Sequence, residues 1–416
     1  MNHVAKPLLI ALLLLVAPRI ASAEDLIGLF LSWQQDPTTT MTVTWVDIYA
    51  DSSPTILYRK YDGEKQTKNT AWQSAKATLS TVGPTTLQLR RVELTGLEPG
   101  TRYEFGIGDE PKEVTHFWRF ETMPATLDKP LRFVSGGDMM HNRAYVDDMN
   151  EEMQKLEPAF ALLGGDIAYE NGVHGTHWID WLQSWTQHAV TKDKRLIPLV
   201  IAIGNHEVKG HYDGRIPEDA PYFYSLFALP ENRSYYALDF GDYLSLVVLD
   251  SQHTNPIAGP QAQWLEQALS QRDDQQFLFA CYHYPAYGTT KEPKGGLPID
   301  AEKAVAIQQN WCPSFERYGA SAIFENDHHN YKRSHRIRNR ERDDENGILY
   351  VGDGAWGVQT RTVPEKAWWL AKAEARNHLW QVELDPNGSF KLKAIDAEGK
   401  VFDEVEIEEP RTKPVP

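Results

Sequence analysis

Gly165-Asp166-Ile167-Ala168-Tyr169 and Gly204-Asn205-His206-Glu207 each follow an apolar run, and together they offer a carboxylate, a phenol, an amide oxygen and an imidazole. Donors of these types suit hard metal ions. The runs Phe160 to Leu163 and Ile197 to Ile203 read as buried strands, each followed by a glycine that permits a sharp turn. In open α/β sheets, sites gather at the carboxyl ends of strands. Three more segments repeat the arrangement: Gly136-Gly137-Asp138, His283-Tyr284-Pro285, and Asp327-His328-His329-Asn330-Tyr331-Lys332-Arg333. Five polar clusters at five strand ends point to one composite metal site rather than five polar turns.

The elements that must position these groups fall into two patterns. Between Asp25 and Pro124, short alternating strands such as Met41 to Val46, Thr55 to Tyr58 and Thr86 to Leu89 argue for a β-sandwich. Within it, Leu97-Glu98-Pro99-Gly100-Thr101-Arg102-Tyr103 resembles fibronectin type III-like domains, in which the tyrosine braces a strand corner. From Leu131 onward, strands alternate with helices, which predicts a layered α/β domain. Leu131 to Ser135, Tyr243 to Leu249, Phe277 to Tyr282 and Ala320 to Phe324 read as strands. Ala144 to Leu156, Ala262 to Leu269 and Ala301 to Tyr318 read as helices. Past Asn377 the chain returns to hairpins. Trp178, Trp181 and Trp185 recur at helical spacing and read as a face packed on the core rather than a substrate platform.

The chain has 416 residues, 41% of them hydrophobic, and a formal net charge of −16, which suits two or three folded domains and excludes nucleic acid or anionic membranes as natural partners. For so acidic a protein to act on an anionic substrate it needs a local cationic centre, which bound metal would supply. Met1 to Ala23 carries Lys6, the apolar run Leu8 to Val16, and Ala21-Ser22-Ala23, the pattern of a cleaved export signal. The run is too short for a permanent membrane anchor. The protein is therefore expected to be secreted or periplasmic. Cys281 and Cys312 read as buried free thiols, although export would permit a disulfide.

Taken in order, the five strand-end segments resemble the calcineurin-like metallophosphoesterase superfamily, and Tyr169 narrows the likeness to purple acid phosphatases. The resemblance implies a four-layer αββα metallophosphoesterase sandwich at 130–407, preceded at 24–124 by a fibronectin type III-like domain and at 1–23 by the signal. It also implies a binuclear centre, Fe(III) plus a divalent Fe, Mn, Zn or Mg ion. Asp138, Tyr169 and His329 would hold the first ion, Asn205 and His283 the second, with Asp166 bridging. A metal-bound hydroxide would attack a small phosphate ester, and catalytic His206 would donate to the phosphate.

Two departures from the family pattern stand out. Asp327 occupies the place of a usual histidine, so either it is a ligand that makes the second site more anionic, or His328 coordinates with Asp327 as its support. The histidines that usually follow the position of His283 are absent between Tyr284 and Asp327. A leaving-group acid must then come from elsewhere, with His141, His174 and His177 as the candidates, or be absent. The expected activity is phosphate monoester hydrolysis. The alternatives are a phosphodiesterase or nucleotide pyrophosphatase on the same scaffold, or a secreted binding protein with a degraded metal site.

Overall fold

The computed structural model describes residues 26–48, 54–63, 71–210, 215–289, 301–363, 367–408 and 411. The expected export signal, Met1 to Ala23, lies outside them. Among the described residues, no helix is long and apolar enough to cross a membrane.

The N-terminal part pairs two four-stranded sheets. One runs Gly28–Ser32, Met41–Asp47, Gln88–Leu94, Thr78–Thr81; the other Gln73–Lys76, Thr55–Lys60, Arg102–Ile107, Trp118–Glu121. The strand expected at Thr86 to Leu89 begins two residues later, because Thr85 is held in a turn by its side-chain and backbone bonds to Val82 O. Tyr103 braces its corner: Glu98 N donates to its hydroxyl at 2.9 Å.

Two further sheets face each other in the C-terminal part. The first is ordered Leu199–Ile201, Ala161–Leu163, Leu131–Gly136, His378–Leu384, Phe390–Asp396, Val401–Ile407. The second is ordered Tyr236–Phe240, Leu244–Val248, Phe277–Cys281, Ala322–Glu325, Leu349–Gly352, Tyr331–Ser334, Leu370–Glu374. Phe133 of the first sheet meets Phe279 and Phe324 of the second, with ring centroids 5.7 and 6.1 Å apart. Helices Arg143–Leu156 and Thr176–His188 lie on the first sheet's side, while Pro260–Ser270, Ala301–Asn310 and Cys312–Arg317 pack around Leu249, Leu278, Ala280 and Ile323 of the second. This is the four-layer αββα arrangement, and it explains the continuous apolar runs: a parallel strand covered on both faces has no polar side. The helical stretch expected from Ala301 to Tyr318 breaks at Trp311, since Pro313 lacks the N–H that a continuous helix requires. Cys281 and Cys312 are buried and unpaired.

The tryptophan helix is the seam between the two parts. Trp178, Trp181 and Trp185 are buried, Thr186 Oγ1 accepts from Leu29 N at 2.8 Å, and Phe30 of the sandwich packs on Phe227.

Candidate metal centre

The parallel strands Leu131–Gly136, Ala161–Leu163 and Leu199–Ile201 of one sheet, and Phe277–Cys281 and Ala322–Glu325 of the other, all point their carboxyl ends at one place. The loops that follow are strained there. Asp138, Asp166, Tyr169, Asp327 and His329 have φ of 59°, 54°, 55°, 78° and 58°, a left-handed region that costs a non-glycine residue roughly 1–2 kcal/mol. Strain of this kind persists where surrounding structure enforces it, and it concentrates at functional sites. Two glycines make the room: a Cβ on Gly204 would fall 2.2 Å from Asp166 Oδ1, and one on Gly354 would fall 1.7 Å from Asp138 Oδ2.

The donors form two adjoining groups. In the first, Tyr169 Oη lies 2.8 Å from Asp138 Oδ1 and 2.9 Å from His329 Nε2, and that nitrogen is 3.1 Å from the same Asp138 oxygen. In the second, His283 Nε2 lies 3.1 Å from Asn205 Oδ1, 3.2 Å from Asp166 Oδ2 and 3.7 Å from Asp327 Oδ1. His283 Nδ1 faces Gly164 O at 2.9 Å, a carbonyl that fixes this nitrogen as the donor and leaves Nε2 for a ligand. Ligand atoms of Asp138, Asp166 and His283 lie within 4.8 Å of one another, so the groups share a wall.

Asp138, Asp166 and Asp327 are at most 4% exposed, so three carboxylates are crowded together with little water to solvate them. Burial opposes ionisation of Asp166, but His283 and then His206 outweigh it and hold the carboxyl below its ordinary range. Conversely, burial disfavours the His283 cation, while Asp166, Asp138 and Asp327 push its pKa up to about 10. Burial, and after it Asp138 and Asp166, keep the Tyr169 phenol protonated well above its usual pKa. A pocket that draws a proton onto a buried histidine is short of positive charge. Its oxygen-rich donor set fits a pair of hard metal ions.

Asp327 and His328 take different surroundings. Asp327 turns Oδ1 toward His283, and its own N–H donates to Asp138 Oδ2 at 2.9 Å. His328 is drawn away by its Nδ1, 3.2 Å from Asp353 Oδ2, with Nε2 3.7 Å from Asp327 Oδ2. His206 donates from its backbone to Asp166 Oδ1 at 2.8 Å, its Nδ1 meets Asn171 Oδ1, and its Nε2 lies 3.9 Å from Asp166 Oδ2.

Of the three histidines considered as leaving-group acids, His141 alone touches the first donor group. Its ring sits edge-on to Tyr169 at 4.4 Å and 5.2 Å from His329, and burial, followed by the repulsion of His329, lowers its pKa to about 4. His177 is occupied beside Ala168 O and Glu170, and His174 is exposed.

Several functional neighbours escaped the sequence reading. Glu207 accepts from the N–H groups of Asp166, Ile167 and Gly204, each at 2.8 Å, and so ties two ligand loops together. Burial first, and Asp166 second, raise its pKa to about 7. Arg361 reaches His329 and Asp327 O.

The chain is similar to known proteins in both of its parts. Residues 27–122 match the family described as purple acid phosphatase, N-terminal domain, and residues 131–331 match calcineurin-like phosphoesterase. An uncharacterized protein of Mycobacterium tuberculosis is 25% identical over 80% of this chain and 64% of its own length. Purple acid phosphatase 15 of Arabidopsis thaliana is 24% identical over 64% of this chain, which spans 53% of that protein. In fold, the structure of purple acid phosphatase PPD1 from yellow lupin superposes with a TM-score of 0.71 at 17% identity, covering 91% of this chain and 73% of that one.

Proposed function

The chain belongs to the calcineurin-like phosphoesterase family, with a purple acid phosphatase N-terminal domain ahead of its catalytic part, and on that premise we propose that it is an exported binuclear metallohydrolase of phosphate monoesters. The observation that carries this reading is the meeting of Asp138, Tyr169 and His329 beside Asp166, His283 and Asn205, all at the carboxyl ends of strands. Asp138, Tyr169 and His329 would hold Fe(III), Asn205 and His283 a divalent ion, with Asp166 between them and Asp327 completing the second set. When bound, the two ions supply Lewis acidity, clamp the phosphate and lower the pKa of water enough to furnish the nucleophile at neutral pH or below.

The chain's own groups do the rest. His206 is oriented by Asn171 on one side and Asp166 on the other, so its Nε2 can direct a proton at a phosphoryl oxygen as charge builds there. Glu207 keeps the Asp166 and Asn205 loops in register. His141, beside Tyr169, is the nearest of the three histidines to the donors, and with its pKa lowered to about 4 it would protonate a departing alcohol only in acid. The filled ligand positions support an enzyme over a binding protein with a lapsed site. Rates of the metal-loaded protein on p-nitrophenyl phosphate and on bis(p-nitrophenyl) phosphate test the assignment. A faster monoester reaction, abolished by Asp166→Asn, is expected; a faster diester reaction would reassign the substrate class.

A further inference from the structure

Arg361 is a cation that none of the ligand motifs accounts for, and it is aimed at the first donor group. It lies on the loop after strand Leu349–Gly352, the loop whose Gly354 admits Asp138 Oδ2. Its backbone is anchored, with Arg361 N donating to His329 O at 3.1 Å. Its side chain is held too: Nη1 donates to Asp327 O at 3.2 Å, and Nη2 lies 3.3 Å from His329 Nε2. That ring nitrogen is the one facing Tyr169 and Asp138. The residue is nonetheless exposed, so the guanidinium has solvent on one side and the ligands on the other.

A ring nitrogen has one lone pair to give. Once His329 Nε2 is committed to an ion, it cannot accept from Arg361, and the guanidinium is left next to a second positive charge. Two like charges at that range repel unless an anion lies between them. A monoester dianion has three terminal oxygens and a diester has two. A two-ion clamp engages two of them, so only the monoester presents a third that needs its own donor. A planar guanidinium, charged at any working pH and matched to phosphate geometry, is suited to that oxygen.

We propose that Arg361 binds the third terminal oxygen of a phosphate monoester and so determines the preference for monoesters over diesters at this site. The proposal rests on the reading of the site as a two-ion phosphoesterase centre. It makes Arg361 a substrate-binding and specificity-determining residue on the Tyr169 side of the site, distinct from His206 on the Asp166 side.

The test compares metal-loaded wild-type protein with Arg361→Ala and Arg361→Lys. Loss of a charged hydrogen bond to phosphate predicts a fall of about 10- to 100-fold in kcat/KM for p-nitrophenyl phosphate in the alanine variant, with at most about a threefold fall for the bis-ester. Calorimetric binding of inorganic phosphate should weaken at least tenfold, while metal content and the visible spectrum without phosphate stay as in the wild type. Arg361→Lys should recover part of the phosphate affinity, because it keeps the charge and loses the fork. Equal losses on both esters, or unchanged phosphate binding, overturn the proposal. So does loss of bound metal in both variants with no separate effect on phosphate, which assigns Arg361 to supporting His329. A metal-loaded wild-type protein that hydrolyses neither ester overturns the underlying reading itself, an outcome distinguishable from all the others.

Discussion

Tyr169 Oη and His329 Nε2, 160 positions apart in the chain, lie 2.9 Å from each other and share one oxygen of Asp138. A phenol, an imidazole and a carboxylate so placed make an anionic pocket once the phenol ionises, and only a strongly charged cation would ionise a phenol whose surroundings hold its proton so firmly. With ferric iron bound, the protein should be coloured by phenolate-to-iron charge transfer. Tyr169→Phe should bleach the band while leaving the melting temperature within a few degrees, since the ring keeps its packing on His206 and His141. A coloured phenylalanine variant would remove Tyr169 from the ligand set.

Asp327 turns one carboxylate oxygen toward His283, whereas His328 is engaged by Asp353. Asp327→Asn is therefore expected to weaken binding of the second metal ion at least tenfold, a loss of the order seen when a metal site's ligands or their supports are altered. Asp327→His should shift selectivity toward zinc, an ion that takes nitrogen ligands readily. His328→Asn should do neither. Metal titrations of the three variants decide it: a larger loss in His328→Asn than in Asp327→Asn would reverse the two roles.

Glu207 has three backbone N–H donors and no cation among them. Glutamine in its place offers one acceptor oxygen and an amide that confronts the remaining donors. Unfolding of Glu207→Gln by denaturant should show a loss of roughly 2–4 kcal/mol, together with weaker metal binding. A variant of wild-type stability would mean that the two ligand loops are held in register by something else.

His378 is buried against Tyr331, Trp380 and Phe402, and burial lowers its pKa to about 4. The unfolded chain, with a histidine pKa near 6.5, therefore takes up the proton first on acidification. The stabilisation is complete above pH ~6.5 and is lost as pH falls toward ~4, by at most about 3.4 kcal/mol. His378→Gln should flatten that part of the stability profile by about 2 kcal/mol, and an unchanged slope between pH 6.5 and 4.5 would show that other groups carry the acid sensitivity.

The strand ends were legible in the sequence because a parallel strand buried on both faces leaves an unbroken apolar run, and the polar residues that end it stand out. That contrast located Asp138, Asp166 and Asn205, each after a glycine, and His283 and Asp327, which follow their runs without one, together with the layers that carry them. Tyr103 and the tryptophan helix were legible for a related reason, since corner bracing and helical spacing are local patterns. Glu207, Arg361 and Asn171 were not read, because what defines them is contact across 35 or so positions or more, which no local pattern encodes. The break at Trp311 was missed although Pro313 announced it: helical periodicity continues across the proline, while the hydrogen bonding does not.

The number of ions the site needs is the most direct test of a binuclear centre. Metal-free protein should be titrated with ferric iron and one divalent ion while hydrolysis of p-nitrophenyl phosphate is followed. Activity that rises to a plateau at two ions per chain, and disappears when either is withheld, is the predicted result. A plateau at a single ion, or turnover that persists with both removed, would contradict a binuclear centre built on Asp138, Asp166 and His283.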